Sequence, residues 1–150
     1  MTLSDRPARA HGFTLIELMI AMVIFALLLA ISIPTYRAQV RKGRRTEAKT
    51  ALLDLAGREE RLYSVNNAYS GTPSALGYGA VGAVFPLNVG NNYYQVSMPV
   101  QTATTFTFTA TAVDPDQLND TTCRTFTITH LGVQTAASST GANTTATCWR

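Results

Sequence analysis

Between Phe13 and Ile33 the chain is an almost unbroken apolar run, ending at Pro34 and interrupted by a single ionisable side chain, Glu17. At about 1.5 Å per residue, a helix of that length reaches close to 30 Å, the thickness of a bilayer's hydrocarbon core. The run is therefore a membrane-competent helix, and Glu17 is its anomaly. A carboxylate at membrane depth costs roughly 2.5–3.5 kcal/mol on insertion scales, so it needs a partner. A cut after Gly12 would create one. The new amine of Phe13 lies four residues before Glu17, and the carboxylate could neutralise that ammonium in its own chain or in a neighbour.

Two other readings fit part of the run. Leu18 to Ile31 is long enough for the core of an ordinary signal peptide, with Ala30-Ile31-Ser32 as a small-x-small cleavage pattern. Against it stand the acid at the very start of that core and Pro34 just past the cut. A plain membrane anchor explains the hydrophobicity but neither Gly12 nor Glu17.

The stretch Gly12-Phe13-Thr14-Leu15-Ile16-Glu17-Leu18-Met19-Ile20, closed by Ile31-Ser32-Ile33-Pro34-Thr35-Tyr36, resembles the N-terminal signature of the type IV pilins and the related type II secretion pseudopilins. The resemblance implies a leader, residues 1–12, cut by a prepilin peptidase between Gly12 and Phe13, with N-methylation of Phe13. It implies that Glu17 serves assembly by pairing with a subunit's N-terminal amine. It also implies other pilin subunits, the inner-membrane pilus assembly machinery and, before assembly, membrane lipid as partners. Segment 13–35 would be the transmembrane and filament-core half of the helix, and residues 36–150 the pilin globular domain. Within the family, Leu55-Ala56-Gly57-Arg58-Glu59-Glu60-Arg61-Leu62-Tyr63, Tyr69 and the closing Cys148-Trp149-Arg150 look most like type IVa minor pilins of the PilE kind, found in twitching-motility systems. Ala26 stands where major pilins usually carry a glycine.

The formal charge is only +3, too little to demand a nucleic-acid partner. Arg6 and Arg9 before the run favour a cytoplasmic N-terminus, whereas Arg37, Arg41, Lys42, Arg44 and Arg45 after it pull the other way. The pilin resemblance and the two cysteines resolve this toward an inner-membrane, single-pass protein with a periplasmic C-terminal domain, later part of an extracellular pilus. The basic cluster from Arg37 to Lys49 has three readings: a solvated face, a contact to lipid phosphates or a neighbouring subunit's acids, or DNA binding. The absence of interleaved aromatics disfavours nucleic acid.

Pro34 has no N–H to donate and disfavours helix at Ile33, which predicts a kink at Pro34 rather than a stop. From Tyr36 to Tyr63, Val40, Ala48, Ala51, Leu52, Leu55, Leu62 and Tyr63 recur at three- and four-residue spacing, and Asp54 precedes Arg58 by four. Ser64 to Asn92 is rich in turn residues and reads as a long connection packed by Tyr69, Leu76, Tyr78 and Phe85. Alternation then predicts strands at Tyr94–Met98, Phe106–Ala112 and Thr125–Thr129, with a weaker fourth after Leu131-Gly132. The expected fold is α+β: the type IV pilin fold, a long kinked helix packed on a four-stranded antiparallel sheet.

Cys123 and Cys148 are the only cysteines, either free buried thiols or a pair. A bond would close a loop of about 25 residues, worth about 3 kcal/mol, and staple the Ser/Thr-rich tail. A disulfide bounding the C-terminal region is typical of type IV pilins and not of the main pseudopilins. No catalytic constellation is legible, and no cofactor or metal is expected: His130 is the single histidine after Gly12, and Asp114, Asp116 and Asp120 read as a turn before they read as calcium ligands.

Overall fold

The computed structural model describes residues 12–149. Two compact units divide the chain, one up to Ala38 and one from Gln39 onward. Helix α1 (Leu15–Asn66) contributes to both. Its start is encoded by Thr14 and Glu17. The Thr14 hydroxyl accepts the Glu17 N–H at 3.3 Å, and the Thr14 carbonyl accepts the Leu18 N–H at 3.2 Å, so Thr14 is the N-cap and Glu17 the third helical residue. The helix continues through Pro34, and Thr35 Oγ1 donates to the Ile31 carbonyl at 2.9 Å. Pro34 is thus no terminator, as expected. Asn67 ends the helix with a positive φ of 52°.

In the second unit, five antiparallel strands follow in sequence order: β1 (Leu87–Val89), β2 (Tyr94–Gln101), β3 (Phe106–Ala112), β4 (Thr125–Thr129) and β5 (Gln134–Ala137). A short helix α2 (Thr145–Cys148) closes the described chain. The four-stranded expectation is corrected to five. β1 lies inside the Gly/Asn-rich connection and is too short to alternate visibly, yet Leu87 pairs with Val96 and Val89 with Tyr94. What makes it a strand is the turn behind it, where Gly90, Asn91 and Asn92 all take positive φ and Tyr93 N–H closes onto the Gly90 carbonyl. The register of β2 against β3 shifts between Ser97 and Val100, where Pro99 has no N–H for the ladder.

The alternation sets the two faces. Phe106, Phe108, Ala110 and Ala112 point into the core, while Thr107, Thr109 and Thr111 face away opposite Thr129, Thr127 and Thr125. Ala48, Leu52 and Leu55 of α1 join Tyr94, Val96, Phe106, Phe108, Phe126 and Ile128 in one buried cluster. Small residues at 48 and 51 let the helix lie close to the aromatic face. The connection after α1 is partly ordered by a 3₁₀ turn at Pro73–Leu76, and it packs as expected: Tyr69 sits edge-on to Phe106 at 4.8 Å and Phe85 lies 5.5 Å from Phe108.

Candidate assembly interface

Among the described residues the apolar side chains of the N-terminal unit are uncovered. Leu15, Ile16, Met22, Phe25 and Leu27 are each more than 60% exposed. The most apolar window of α1 has a mean hydropathy of 2.8 and is unburied. A helix apolar on all sides must be covered by lipid or by other helices. Glu17 lies at its first turn. Phe13 precedes the N-cap, so the expected one-turn spacing between Phe13 and Glu17 is not helical in the uncut chain.

Three arginines of the basic cluster make ion pairs within the second unit, a use that none of the three sequence readings named. Arg45 clasps Asp120 in a bidentate pair, Nε to Oδ2 at 2.6 Å and Nη2 to Oδ1 at 2.8 Å, with the Asp120 side chain only 4% exposed. Arg44 Nη1 donates to Asp114 at 3.0 Å and to Asp116 at 3.1 Å, and its guanidinium lies 4.0 Å from the centre of the Tyr93 ring. Arg41 approaches Asp116 at 3.5 Å. Three arginines thus bolt the β3–β4 loop to α1. The three aspartates form the expected turn, now seen to be stiffened by a 3₁₀ segment at Gln117–Asn119, and their charge is spent on arginine.

Gln117 completes this clamp from within. Fully buried, it donates to the Tyr94 hydroxyl at 2.8 Å and more weakly to Asp120 and the Arg41 carbonyl. Burial, and after it the Asp120 charge, push the Tyr94 hydroxyl pKa well above its ordinary value. Asp120 Oδ1 also accepts the Cys123 N–H at 3.2 Å, tying the clamp to the disulfide. Cys123 and Cys148 are bonded, as the pilin resemblance implied, with Cα atoms 5.7 Å apart. Lys49 reaches the Cys148 carbonyl at 3.3 Å, so α1 grips both ends of the disulfide-bounded region.

Sequence reasoning missed Glu59, which reads as one charge among several yet is fully buried. Its Oε2 accepts the Ser70 N–H at 2.9 Å and its Oε1 has no partner among the described residues. Burial pushes its pKa up, the Ser70 N–H opposes this, and Glu60 adds to the rise. Next to it Glu60 takes the Tyr69 hydroxyl at 2.9 Å, and burial together with that bond pushes Tyr69 up to about 12. His130 follows β4 directly, as its reading as a strand-end residue required. Among the described residues no group of three His, Cys, Asp or Glu side chains could hold a metal ion.

A prokaryotic N-terminal methylation motif matches residues 7–33, and the family described as "Type IV minor pilin ComP, DNA uptake sequence receptor" matches residues 34–127. The chain belongs to the type IV pilins, of the minor pilin type. The pilin is also 36% identical over 98 residues to the type IV major pilin protein PilA of Myxococcus xanthus, covering 65% of this chain and 41% of that protein. It is 41% identical over 68 residues to the type IV wide pilus major component PilA4 of Thermus thermophilus, covering 45% of this chain and 51% of that protein. The matched stretches span about half the length of these relatives.

Proposed function

We propose that this type IV pilus subunit is made as a precursor, cut by prepilin peptidase between Gly12 and Phe13, methylated on the Phe13 amine and held in the inner membrane with its C-terminal domain in the periplasm. The pilus machinery then draws it into a filament, where residues 13–35 form the apolar core, Pro34 bends the helix and Glu17 pairs with a neighbour's Phe13 amine. The observation that carries this reading is the uncovered apolar stretch of α1, residues 15–33, whose single acid sits in the first turn. An acid there would be unfavourable in a simple anchor and has a use only if a cation comes to it. The protein serves pilus biogenesis, with twitching motility or adhesion as the outcome, and has no catalytic role.

The disulfide and the capture of Asp114, Asp116 and Asp120 by arginine favour a pilin over a type II secretion pseudopilin. DNA reception, which the matched family's description names, is not extended to this chain, because Arg41, Arg44 and Arg45 are neutralised internally. The test is intact mass with N-terminal sequencing of the membrane-extracted protein, with and without reduction. A chain starting at methylated Phe13 and two daltons lighter before reduction is expected. A chain starting at Ile33 would mean ordinary secretion, and one keeping Met1 in cells that process other prepilins would leave only an anchor.

A further inference from the structure

Among the described residues Glu59 is the one acid of α1 that the fold covers completely. Asp120, the other buried acid, is held by Arg45, whereas no lysine or arginine pairs with Glu59. Its Oε2 accepts the Ser70 N–H at 2.9 Å, and its Oε1 is buried without a partner. A carboxylate taken out of water with no cation beside it is strongly disfavoured, whereas the neutral acid costs far less to bury. The groups around it bring no permanent positive charge. Helix α1 supplies Glu60 and Tyr63, the connection supplies Tyr69, and the sheet supplies Phe106, with His130 behind that ring at 6.4 Å between ring centres.

What Glu59 holds is a short, heavily bonded piece of the connection, Tyr69-Ser70-Gly71. The Tyr69 N–H donates to the Ala103 carbonyl at 3.0 Å, Gln101 Nε2 donates to the Tyr69 carbonyl at 3.3 Å, and the Tyr69 hydroxyl donates to Glu60 at 2.9 Å. The Tyr69 ring centre lies 4.6 Å from that of Tyr63 and 4.8 Å from that of Phe106. The segment therefore joins α1 to the β2–β3 turn, and two adjacent acids grip it from the helix side.

We propose that Glu59 is a proton-operated latch: protonated, it lies closed beneath the Tyr69–Gly71 segment, and ionised, it drives that segment off α1 while the arginine clamp, the disulfide and the sheet stay folded. A carboxyl that is harder to ionise in the closed state than in the open one favours closure below both of its pKa values, and that preference is lost as pH rises through the higher one. Burial makes the closed state the harder one to ionise; the Ser70 N–H opposes this and Glu60 adds to it. The release is local because the segment lies outside the five strands and outside the loop that Cys123 and Cys148 close, so it can open without either. Opening would bare the Tyr63 ring and the buried Phe106, an aromatic surface present only on the alkaline side of the transition. The latch goes beyond the pilus-subunit reading and does not depend on it.

The experiment is backbone amide exchange of the full chain in detergent, disulfide intact, from pH 5 to pH 8, with each rate divided by the intrinsic rate at that pH. Protection of the Tyr69 and Ser70 N–H groups is expected to fall about tenfold across the range, the factor given by a one-unit difference between closed and open pKa values. The amides of β3 and β4 should keep their protection. Glu59→Gln, neutral at every pH and close in shape, should abolish the fall, and Glu60→Gln should keep a smaller one. A flat profile in the unaltered chain would overturn the latch. So would a fall that survives in Glu59→Gln, which would pass the titration to Glu60 or His130, and so would an equal fall in the strands, which would tie Glu59 to the whole domain and not to one segment. Should Glu59→Gln fail to fold, Glu60→Gln decides: a local fall that shrinks but persists supports the latch, and one that is unchanged or vanishes refutes it.

Discussion

Replacing Asp120 by alanine should be the most damaging single charge deletion in the domain. The carboxylate is 4% exposed and accepts two Arg45 N–H groups at 2.6 and 2.8 Å, the Cys123 N–H at 3.2 Å and Gln117 Nε2 at 3.3 Å. Removing one partner of a buried pair strands the other charge and typically costs about 3–5 kcal/mol. At roughly 4 °C per kcal/mol, near the low end for a domain of this size, the melting temperature should fall by about 12–20 °C. The contrast is Asp114→Ala. That carboxylate is 28% exposed, and its arginine keeps Asp116 and the Tyr93 ring. A pair with this much solvent is worth about 1 kcal/mol or less.

The assay is thermal unfolding of the full chain in detergent, disulfide intact, in low salt and again in 1 M NaCl. High salt shortens the Debye length to about 3 Å and should erase the ion-pair part of the Asp114 effect, but not the part from its bonds with the Asp116 and Gln117 N–H groups, while leaving most of the Asp120 effect. A double-mutant cycle with Arg45→Ala should return a coupling above about 1.5 kcal/mol. Equal losses at Asp114 and Asp120, or a coupling near zero, would refute the view that burial rather than charge count decides the clamp's strength.

Other consequences follow from the same geometry. Glu59 has a folded-state pKa raised above its unfolded value, so its contribution favours folding at acid pH and is lost as pH rises through the raised value. Glu59→Gln should therefore gain on the unaltered chain between pH 4.5 and pH 7 in paired melts, and a constant difference across that range would count against an ionised buried group. Replacing both Cys123 and Cys148 by serine removes a loop constraint across 25 positions and should cost about 3 kcal/mol in denaturant unfolding. Gly90 holds φ at +58°, and a Cβ there would lie 2.7 Å from Glu47 Oε2, so Gly90→Ala should cost about 1–2 kcal/mol; a neutral result would mean the β1–β2 turn relaxes freely. Phe108→Ala empties a fully buried site between Phe85 and Phe106 and should cost about 3–5 kcal/mol.

Local rules made much of the fold readable. The helix, the three alternating strands and the disulfide all follow from spacing, alternation or the family resemblance. The fifth strand was not readable, because three residues carry no period and its existence depends on a turn whose three positive-φ residues look like any other loop. Glu59 was unreadable for a related reason. A charge on an amphipathic helix is assigned to solvent by default, and only the chain returning through Ser70 covers it. The clamp joins residues 70–75 positions apart, and nothing in either segment's own pattern requires the other.

One clue to the clamp does lie in residue type. Within the basic stretch the residues that hold aspartates are arginines 41, 44 and 45, while Lys49 reaches only a carbonyl and Arg37 and Lys42 make no ion pair among the described residues. Arginine's rigid planar fork meets a carboxylate with two parallel N–H groups and tolerates desolvation, as at Asp120, whereas a lysine ammonium is strongly hydrated and keeps more of its stabilisation at a wet surface. The arginine forks fix the domain's own loop, and counting the stretch as a single patch of positive charge hides that internal clamp.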